Sequence, residues 1–451
     1  KYIRELKIPG IHLRKESKRF YPTGEISAHI VGFTNVDDKG IEGVERVYDQ
    51  ILTGKGGNKR FRKDAKGRKI EILSVEKAQA AQDVILTIDQ RIQAIAYKEL
   101  KGAVQAFKAT SGSVVVADIH TGEILAMTNS PSYNPNNRRN TAIHRFRNRA
   151  ITDIYEPGST MKPLTALTAL EFGSVKANTI INTSPGWMRL GGRRVNDPIN
   201  RGKLSIEDIL VTSSNMGTTK LALSVPKEFL LDKFFDAGFA DSTGTDLIGE
   251  SSGMMHDRQR WSKFELATLS WGYGLAITPM QLARFYATLA NGGIKRELSI
   301  VKMDKPSEGE RVFSKKNSLA ITQMLETVVD EHVQKAKVDG YRVGGKTGTS
   351  FKAVAGGYGN DYVGLLAGVA PITDPKVVVV VVINDPGGDL YHGGEVAAPV
   401  FSRVMKGALR ILNVAPDASD KMALSNNVVS SNELRVTKNK VQSINRAAND
   451  A

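Results

Sequence analysis

From about Val84 onward, apolar and polar positions alternate with the two periods of helix and strand. Ile92, Ile95, Ala96 and Leu100 recur at helical spacing behind Asp89, whose carboxylate suits an N-cap, so a helix is expected there. Two strands follow at 112–119 and 123–128, joined by a tight turn at His120-Thr121-Gly122. The middle of the chain reads as mainly helical. Ser205-Ile206-Glu207-Asp208 resembles a capping box with a short acid. Thr278-Pro279-Met280-Gln281 is a fuller one, with proline at the first helical position and Gly292 after the last turn. Strands return at 343–346, 362–370 and 377–384, and an amphipathic helix spans 399–412. Helices enclosed by early and late strands predict one α/β unit whose sheet unites the two chain ends.

The first 76 residues have a different texture. They hold 17 Lys/Arg against 11 Asp/Glu, a large share of the net charge of +15. The densest stretch, 55–69, has eight basic residues opposed only by Asp64, and Gly54, Gly56, Gly57 and Gly67 lie in or beside it. Such a stretch reads as hairpin and loop with a solvated basic face. It carries no zinc-finger, RNA-binding or helix-turn-helix signature, so no nucleic-acid partner is expected. Residues 414–451 are rich in Ser, Asn and Asp and read as a tail. The expected division is therefore 1–76, a non-catalytic module; 77–413, the main domain; and 414–451, the tail. Zero cysteines exclude disulfides, thiolate metal sites and a cysteine nucleophile. The longest apolar run, Val377 to Ile383, is far short of the ~18 residues that cross a bilayer.

Candidate chemistry begins at Glu156-Pro157-Gly158-Ser159-Thr160-Met161-Lys162. A serine and a lysine three apart on a helix share a face, and a helix started by Pro157-Gly158 puts Ser159 near its positive end. Burial lowers a lysine pKa, and the neutral amine can serve as base for a serine. Ser-x-x-Lys occurs four times, at Ser74, Ser159, Ser224 and Ser299. Only Ser159 opens an apolar helical stretch, with Leu164, Leu167, Ala169 and Leu170 behind it and Gly173 past its end. Ser213-Ser214-Asn215 follows the helix expected at 206–211, where a loop can present Ser213 and Asn215. Lys346-Thr347-Gly348-Thr349 lies in a run that suits a strand, and a substrate backbone could lie against Gly348 as an added strand. Alone, each element is commoner as surface decoration or a strand end. Their order along one chain is what departs from chance.

With those motifs the chain resembles the class B penicillin-binding proteins, in particular the division-type members of Gram-negative bacteria. The resemblance runs from about residue 8 to 412. It extends to Ile30-Val31-Gly32-Phe33-Thr34-Asn35, Gly40-Ile41-Glu42-Gly43-Val44-Glu45, Leu86-Thr87-Ile88-Asp89, Ser132-Tyr133-Asn134-Pro135-Asn136-Asn137, Gly272-Tyr273-Gly274 and Gly393-Gly394 through Phe401. It implies an α/β (α+β) transpeptidase domain of the penicillin-binding and serine β-lactamase type. A central, mainly antiparallel sheet is flanked by helices, and a smaller extended amino-terminal module accompanies it.

The resemblance also implies a two-step acyl transfer on peptidoglycan stem peptides ending in D-Ala-D-Ala, with β-lactams as covalent inhibitors. Ser159 would be the nucleophile and Lys162 its base. Ser213 would pass a proton to the departing D-alanine, helped by Lys346, and Asn215 would hold the Lys162 amine and a substrate amide. The N–H groups of Ser159 and Thr349 would form the oxyanion hole. Thr347 and Thr349 hydroxyls would bind the terminal carboxylate beside Gly348, and at least one of Tyr358, Tyr362 and Tyr391 would wall the acyl pocket. No cofactor or metal is implied. A membrane glycosyltransferase and other division proteins would be partners. The setting would be the periplasmic face of the inner membrane at the division site, with an amino-terminal membrane helix that does not precede Lys1. The Arg/Asp/Gly-rich motif expected early in the amino-terminal module is also missing.

Two rivals share some of these features. A serine β-lactamase or β-lactam sensor shares the Ser-x-x-Lys and Lys-Thr-Gly elements. Class A β-lactamases use a Glu in a Glu-x-x-Leu-Asn setting, which this chain lacks, and class D enzymes usually carry Val where Asn215 stands. A catalytically silent division scaffold is the other, and the intact Ser159, Lys162, Ser213, Asn215 and Lys346 argue against it.

Overall fold

The structure is a computed structural model and describes residues 5–6, 8–11, 18–255, 260–354 and 357–418. Most of the expected tail, 419–451, lies outside the described residues. The chain divides into two compact units.

The first unit comprises Lys1–Ile85, Ser132–Arg147 and Asp246–Ile248. Its core forms around Tyr133, whose ring packs edge-on to His29 and Phe33 and lies 4.6 Å from Phe146. The Tyr133 hydroxyl donates to Ala28 O at 2.9 Å, so the polar end of a buried ring is satisfied. The basic stretch forms the expected hairpin, β1 (Asn58–Lys63) and β2 (Lys69–Glu76). Its turn is closed by the Asp64 carboxylate, which accepts from the Lys66 and Arg68 amides.

The second unit holds the larger core. Helix α1 (Gln90–Ala106) starts at Asp89, whose carboxylate accepts from the amides of Arg91 and Ile92. It leads into β3 (Ser111–Asp118) and β4 (Ile124–Ser130). Helices α2 (Lys162–Phe172), α3 (Ile206–Val211), α4 (Asn215–Leu223) and α5 (Pro279–Ala290) follow. The sheet is completed by β5 (Gly344–Val354), β6 (Gly357–Ala370) and β7 (Val377–Asn384), and α6 (Ala398–Ile411) closes the fold. The five strands run in the order β5-β6-β7-β3-β4, every neighbour antiparallel.

The valine run explains this layout. All of Val377 to Ile383 is buried, so β7 must be covered on both faces and takes the middle of the sheet. Helices α1 and α6 pack against each other and the sheet, while α5, buried along its whole length, packs against β3, β6 and β7. Both capping boxes form: Thr278 with Gln281 opens α5, and Ser205 with Asp208 opens α3.

Two expectations change. The strands expected at 343–346 and 362–370 are longer, because their register runs from Gly344↔Val369 out to Val354↔Gly357. From Phe351 to Asp361 the added part lies beyond the core and is largely exposed, so that part carries no alternating burial for the sequence to reveal. Ser159 sits not on an α-helix but on a 3₁₀ turn, Gly158–Met161, with α2 starting at Lys162. Positions three apart eclipse each other in a 3₁₀ turn, which preserves the shared face of Ser159 and Lys162.

Candidate active site

Lys162 and Lys346 are each only 1% exposed, which no structural lysine tolerates without specific partners. Lys162 has three. Its Nζ donates to Ser213 O at 2.5 Å, to Ser213 Oγ at 3.1 Å and to Asn215 Oδ1 at 2.8 Å. Ser213 Oγ in turn donates to Ser159 Oγ at 3.0 Å, so the serine and the lysine communicate through a second hydroxyl. Burial, and then the facing Lys346 charge, hold Lys162 well below the usual lysine range, with Asp197 pulling the other way. Burial alone pushes Lys346 down to about 8. The site therefore holds two amines whose charged forms burial disfavours.

Local structure presents each of these groups. Ser213 lies between α3 and α4 with φ +54, a left-handed conformation that a serine adopts only when its surroundings impose it. Ser214 caps α4 by accepting from Gly217 N, and the Asp197 carboxylate accepts from the Ser214 hydroxyl at 2.5 Å and from Met216 N at 3.0 Å. Asn215 is the first residue of α4, held toward Lys162 by that cap. The Ser159 turn is braced from below. Tyr286 of α5 donates to Thr160 O at 2.9 Å, and Gly158 N donates to Gly272 O at 3.0 Å.

Strand β5 is the sheet edge, and its pleat divides the Lys346-Thr347-Gly348-Thr349 motif. Lys346, Gly348 and Ser350 are buried, while Thr347 and Thr349 are half-exposed. The backbone of Thr349 passes the Ser159 turn within van der Waals reach of a Cβ placed on Gly158. A Cβ on Gly348 would stand 2.6 Å from Pro157 O and 3.1 Å from Thr160 Cγ2, so the missing side chain admits the serine turn. Gly348→Ala is accordingly expected to destabilise the fold by about 1–3 kcal/mol through overpacking. Thermal unfolding measures this, and an unchanged melting temperature would overturn it.

Ser159, Lys162, Ser213, Asn215, Lys346, Thr347 and Thr349 line one cavity of about 500 Å³. Asp197, Arg201, His332 and His392 line it too, and none of these was singled out from the sequence. Asp197, Arg201 and His332 lie in stretches with no motif around them, while His392 directly precedes the Gly393-Gly394 motif, the one local signal that could have pointed to it. Tyr358, Tyr362 and Tyr391 are not among the lining residues. They form a row beside the cavity. Tyr362 stacks on Tyr391 at 4.0 Å, Phe351 joins them, and Tyr391 continues to the cavity residue His392 at 4.4 Å. Tyr358 instead donates to Glu156 Oε1 at 3.1 Å, which also accepts from Gly274 N at 2.8 Å. That tyrosine ties the β5–β6 hairpin to the segment before Ser159.

Comparison with known proteins agrees with this geometry. Residues 112–406 match the penicillin binding protein transpeptidase domain, and residues 2–86 match the penicillin-binding protein dimerisation domain. The chain is 49% identical to the peptidoglycan D,D-transpeptidase FtsI of Escherichia coli strain K12, over 92% of this chain and 71% of that protein. It is 37% identical to the probable peptidoglycan D,D-transpeptidase PenA of Neisseria gonorrhoeae, over 92% of this chain and 72% of that protein. The apo structure of the TP domain of Burkholderia pseudomallei penicillin-binding protein 3 superposes with a TM-score of 0.68 at 37% identity, covering 75% of this chain and 99% of that one.

Proposed function

This chain belongs to the class B penicillin-binding protein family, and from that premise we propose how it acts as a serine-type peptidoglycan D,D-transpeptidase. The observation that carries the reading is Ser213 Oγ standing 3.0 Å from Ser159 Oγ and 3.1 Å from Lys162 Nζ, a hydrogen-bonded chain that carries a proton from nucleophile to base once the Lys162 amine is neutral and both hydroxyls turn to donate toward it. Ser159 attacks the carbonyl between the last two D-alanines of a stem peptide, and its proton passes by way of Ser213 to Lys162. Amide donors of Ser159 and Thr349 stabilise the oxyanion, a contribution of about 2.7–4 kcal/mol for one donor. Ser213 then delivers the proton to the departing D-alanine, while Lys346 holds the positive potential that favours it. Asn215 keeps the Lys162 amine and a substrate amide in register. The Thr347 and Thr349 hydroxyls, on the open side of β5, bind the terminal carboxylate. The hydroxyl of Thr349 already accepts from Gly393 N at 3.1 Å, which fixes its rotamer.

A β-lactam presents the same carbonyl and carboxylate, so intact-protein and peptide mass spectrometry after penicillin treatment tests the reading. One penicilloyl group on the peptide containing Ser159, persisting for many minutes, is the expected result. Its rapid loss would favour the β-lactamase rival, and its absence would overturn the nucleophile.

The two lysines predict a pH profile for acylation. Lys162 must be neutral to accept a proton, so the rate rises with pH through its depressed pKa. Lys346 must be charged, so the rate falls as pH climbs through about 8. Lys346→Arg, charged at every accessible pH, is expected to lower the rate but remove the alkaline limb. Stopped-flow acylation across the pH range reads this, and an unmoved alkaline limb would detach it from Lys346.

Residues 1–76 serve in this proposal as a non-catalytic module, 77–413 as the transpeptidase domain and 414–451 as a tail. The cross-linking is assigned to septal wall synthesis at the periplasmic face of the inner membrane, with a membrane glycosyltransferase and other division proteins as partners. Similarity to FtsI supports that placement. No helix among the described residues is long and apolar enough to cross a membrane.

A further inference from the structure

The two-stranded hairpin Trp187–Leu190 and Arg193–Asn196 takes no part in the acyl transfer, yet it is built onto the catalytic corner. Its turn is Gly191-Gly192 with φ of +54 and +82, the two-residue geometry that matches the twist of paired strands. One face of the hairpin is apolar. Leu190 and Val195 are buried there with Met216 of α4 and Ala267, and Met188 and Phe264 pack against them. Asp197, the residue after the second strand, accepts from Ser214 Oγ at 2.5 Å and from Met216 N at 3.0 Å. The hairpin is thus fixed to the segment that presents Ser213 and Asn215.

The outer face has a different composition. The register sets Arg189 directly opposite Arg194 and Trp187 opposite Asn196, and all four are exposed, Trp187 at 42%. Like charges directly opposite each other on a sheet face cost stability. No carboxylate offsets this pair. The one acid between Trp187 and Lys203 is Asp197, which is buried and already engaged, against five cations in the same stretch. Neither guanidinium has an ion-pair or hydrogen-bond partner among the described residues. Arg194 Cζ instead lies over the Trp187 ring, 4.9 Å from its centre, and Arg193 Cζ lies 5.0 Å from the centre of Phe264. Aromatic rings therefore hold these cations in place without neutralising them. Two opposed arginines beside a half-open indole form a rigid platform that lacks its anion.

The substrate says which anion such a platform meets. A peptidoglycan strand is a chain of sugars that bears many stem peptides, and each uncross-linked stem ends in a carboxylate. Only one stem at a time reaches Ser159, so the neighbouring stems on the same strand keep their carboxylates free. A guanidinium pair grips carboxylates by charge-assisted hydrogen bonds, and an exposed indole face stacks on a sugar ring. We propose that the outer face of this hairpin, through Arg189, Arg194 and Trp187, is an exosite that binds the uncross-linked peptidoglycan strand by the carboxylates of its non-reacting stems. The inference rests on the transpeptidase reading above and adds a second contact with the polymer outside the catalytic cavity.

The test uses the whole chain acylated with penicillin, so that Ser159 is blocked and strand binding reports on surfaces outside the cavity. Fluorescence anisotropy compares end-labelled, soluble, uncross-linked strands that keep their stems with the same strands stripped of stems by an amidase. The acylated wild type is expected to bind stem-bearing strands at least tenfold more tightly than stripped ones, and to weaken with added salt. Arg189→Gln combined with Arg194→Gln is expected to weaken that binding by about tenfold, the scale of two exposed ion pairs. Arg189→Lys combined with Arg194→Lys should keep most of it, and Trp187→Ala should weaken it partway. All these variants should be acylated by penicillin within about twofold of the wild-type rate, because none of the three residues touches Ser159. Arg189→Gln should also melt at or above the wild-type temperature, since it relieves the opposed charges; a lower melting temperature would mean that the arginine serves the fold, and would overturn the exosite. Absence of strand binding by the acylated chain, equal binding of stripped strands, or affinity unmoved by the glutamine pair would overturn it too. So would arginine-dependent binding to phosphatidylglycerol vesicles in place of strands. Penicillin labelling keeps this failure apart from failure of the transpeptidase reading: a chain that is labelled but does not hold strands sinks only the exosite.

Discussion

Ser159→Ala is expected to abolish covalent penicillin labelling altogether, because no other group in the cavity is placed to replace it. Ser213 Oγ is the only other hydroxyl in the proton path, and it is held by Lys162 on one side and faces Ser159 on the other. Thr347 and Thr349 face the cavity from the pleat of β5, on the side expected to grip a carboxylate. The alanine variant keeps the turn, since Thr160 O stays bonded to Tyr286 and Gly158 N to Gly272 O. An unchanged melting temperature should therefore accompany complete loss of the adduct by mass spectrometry. Residual labelling at wild-type rate would remove Ser159 from the mechanism.

The second large effect falls on Lys162. Lys162→Ala is expected to slow acylation by about 10²–10⁴-fold, the range general base catalysis usually supplies. Lys162→Arg separates base from charge. A guanidinium keeps the positive potential but cannot give up its proton, so it should not restore the rate. Its bulk also has to fit where Lys162 is 1% exposed and already engages Ser213 and Asn215. Second-order acylation constants with penicillin measure both variants. An arginine variant close to wild type would mean that charge near Ser159 matters and proton acceptance does not.

Much of the second unit was legible because the signals are local. Asp89, Thr278 and Ser205 each cap a helix with their own near neighbours, and a capping box needs only four residues to be recognised. The run from Val377 to Ile383 has too few polar positions for any place but the middle of a sheet. The Ser-x-x-Lys spacing put Ser159 and Lys162 on one face whether the turn was α or 3₁₀. The outer half of β5 and β6 was hidden for the opposite reason: beyond the core most of its residues are exposed, so no pattern of burial marks the pairing.

The site separates the two kinds of information more sharply. The sequence by itself determined which residues can do serine acyl transfer and in what order they occur, since that depends on side-chain chemistry and on spacing within a turn. It did not determine that Lys162 reaches Ser159 by way of Ser213, which lies 51 positions further along the chain. Nor did it determine that Gly348 makes room for Pro157, that Tyr358 serves the Glu156 segment, or that Arg201 and His332 join Lys346 around one cavity. Those facts depend on how the sheet edge, the 3₁₀ turn and the α3–α4 corner pack together. A pKa such as that of Lys162 follows from this packing, because desolvation and facing charges arise only when distant segments exclude water from the same space.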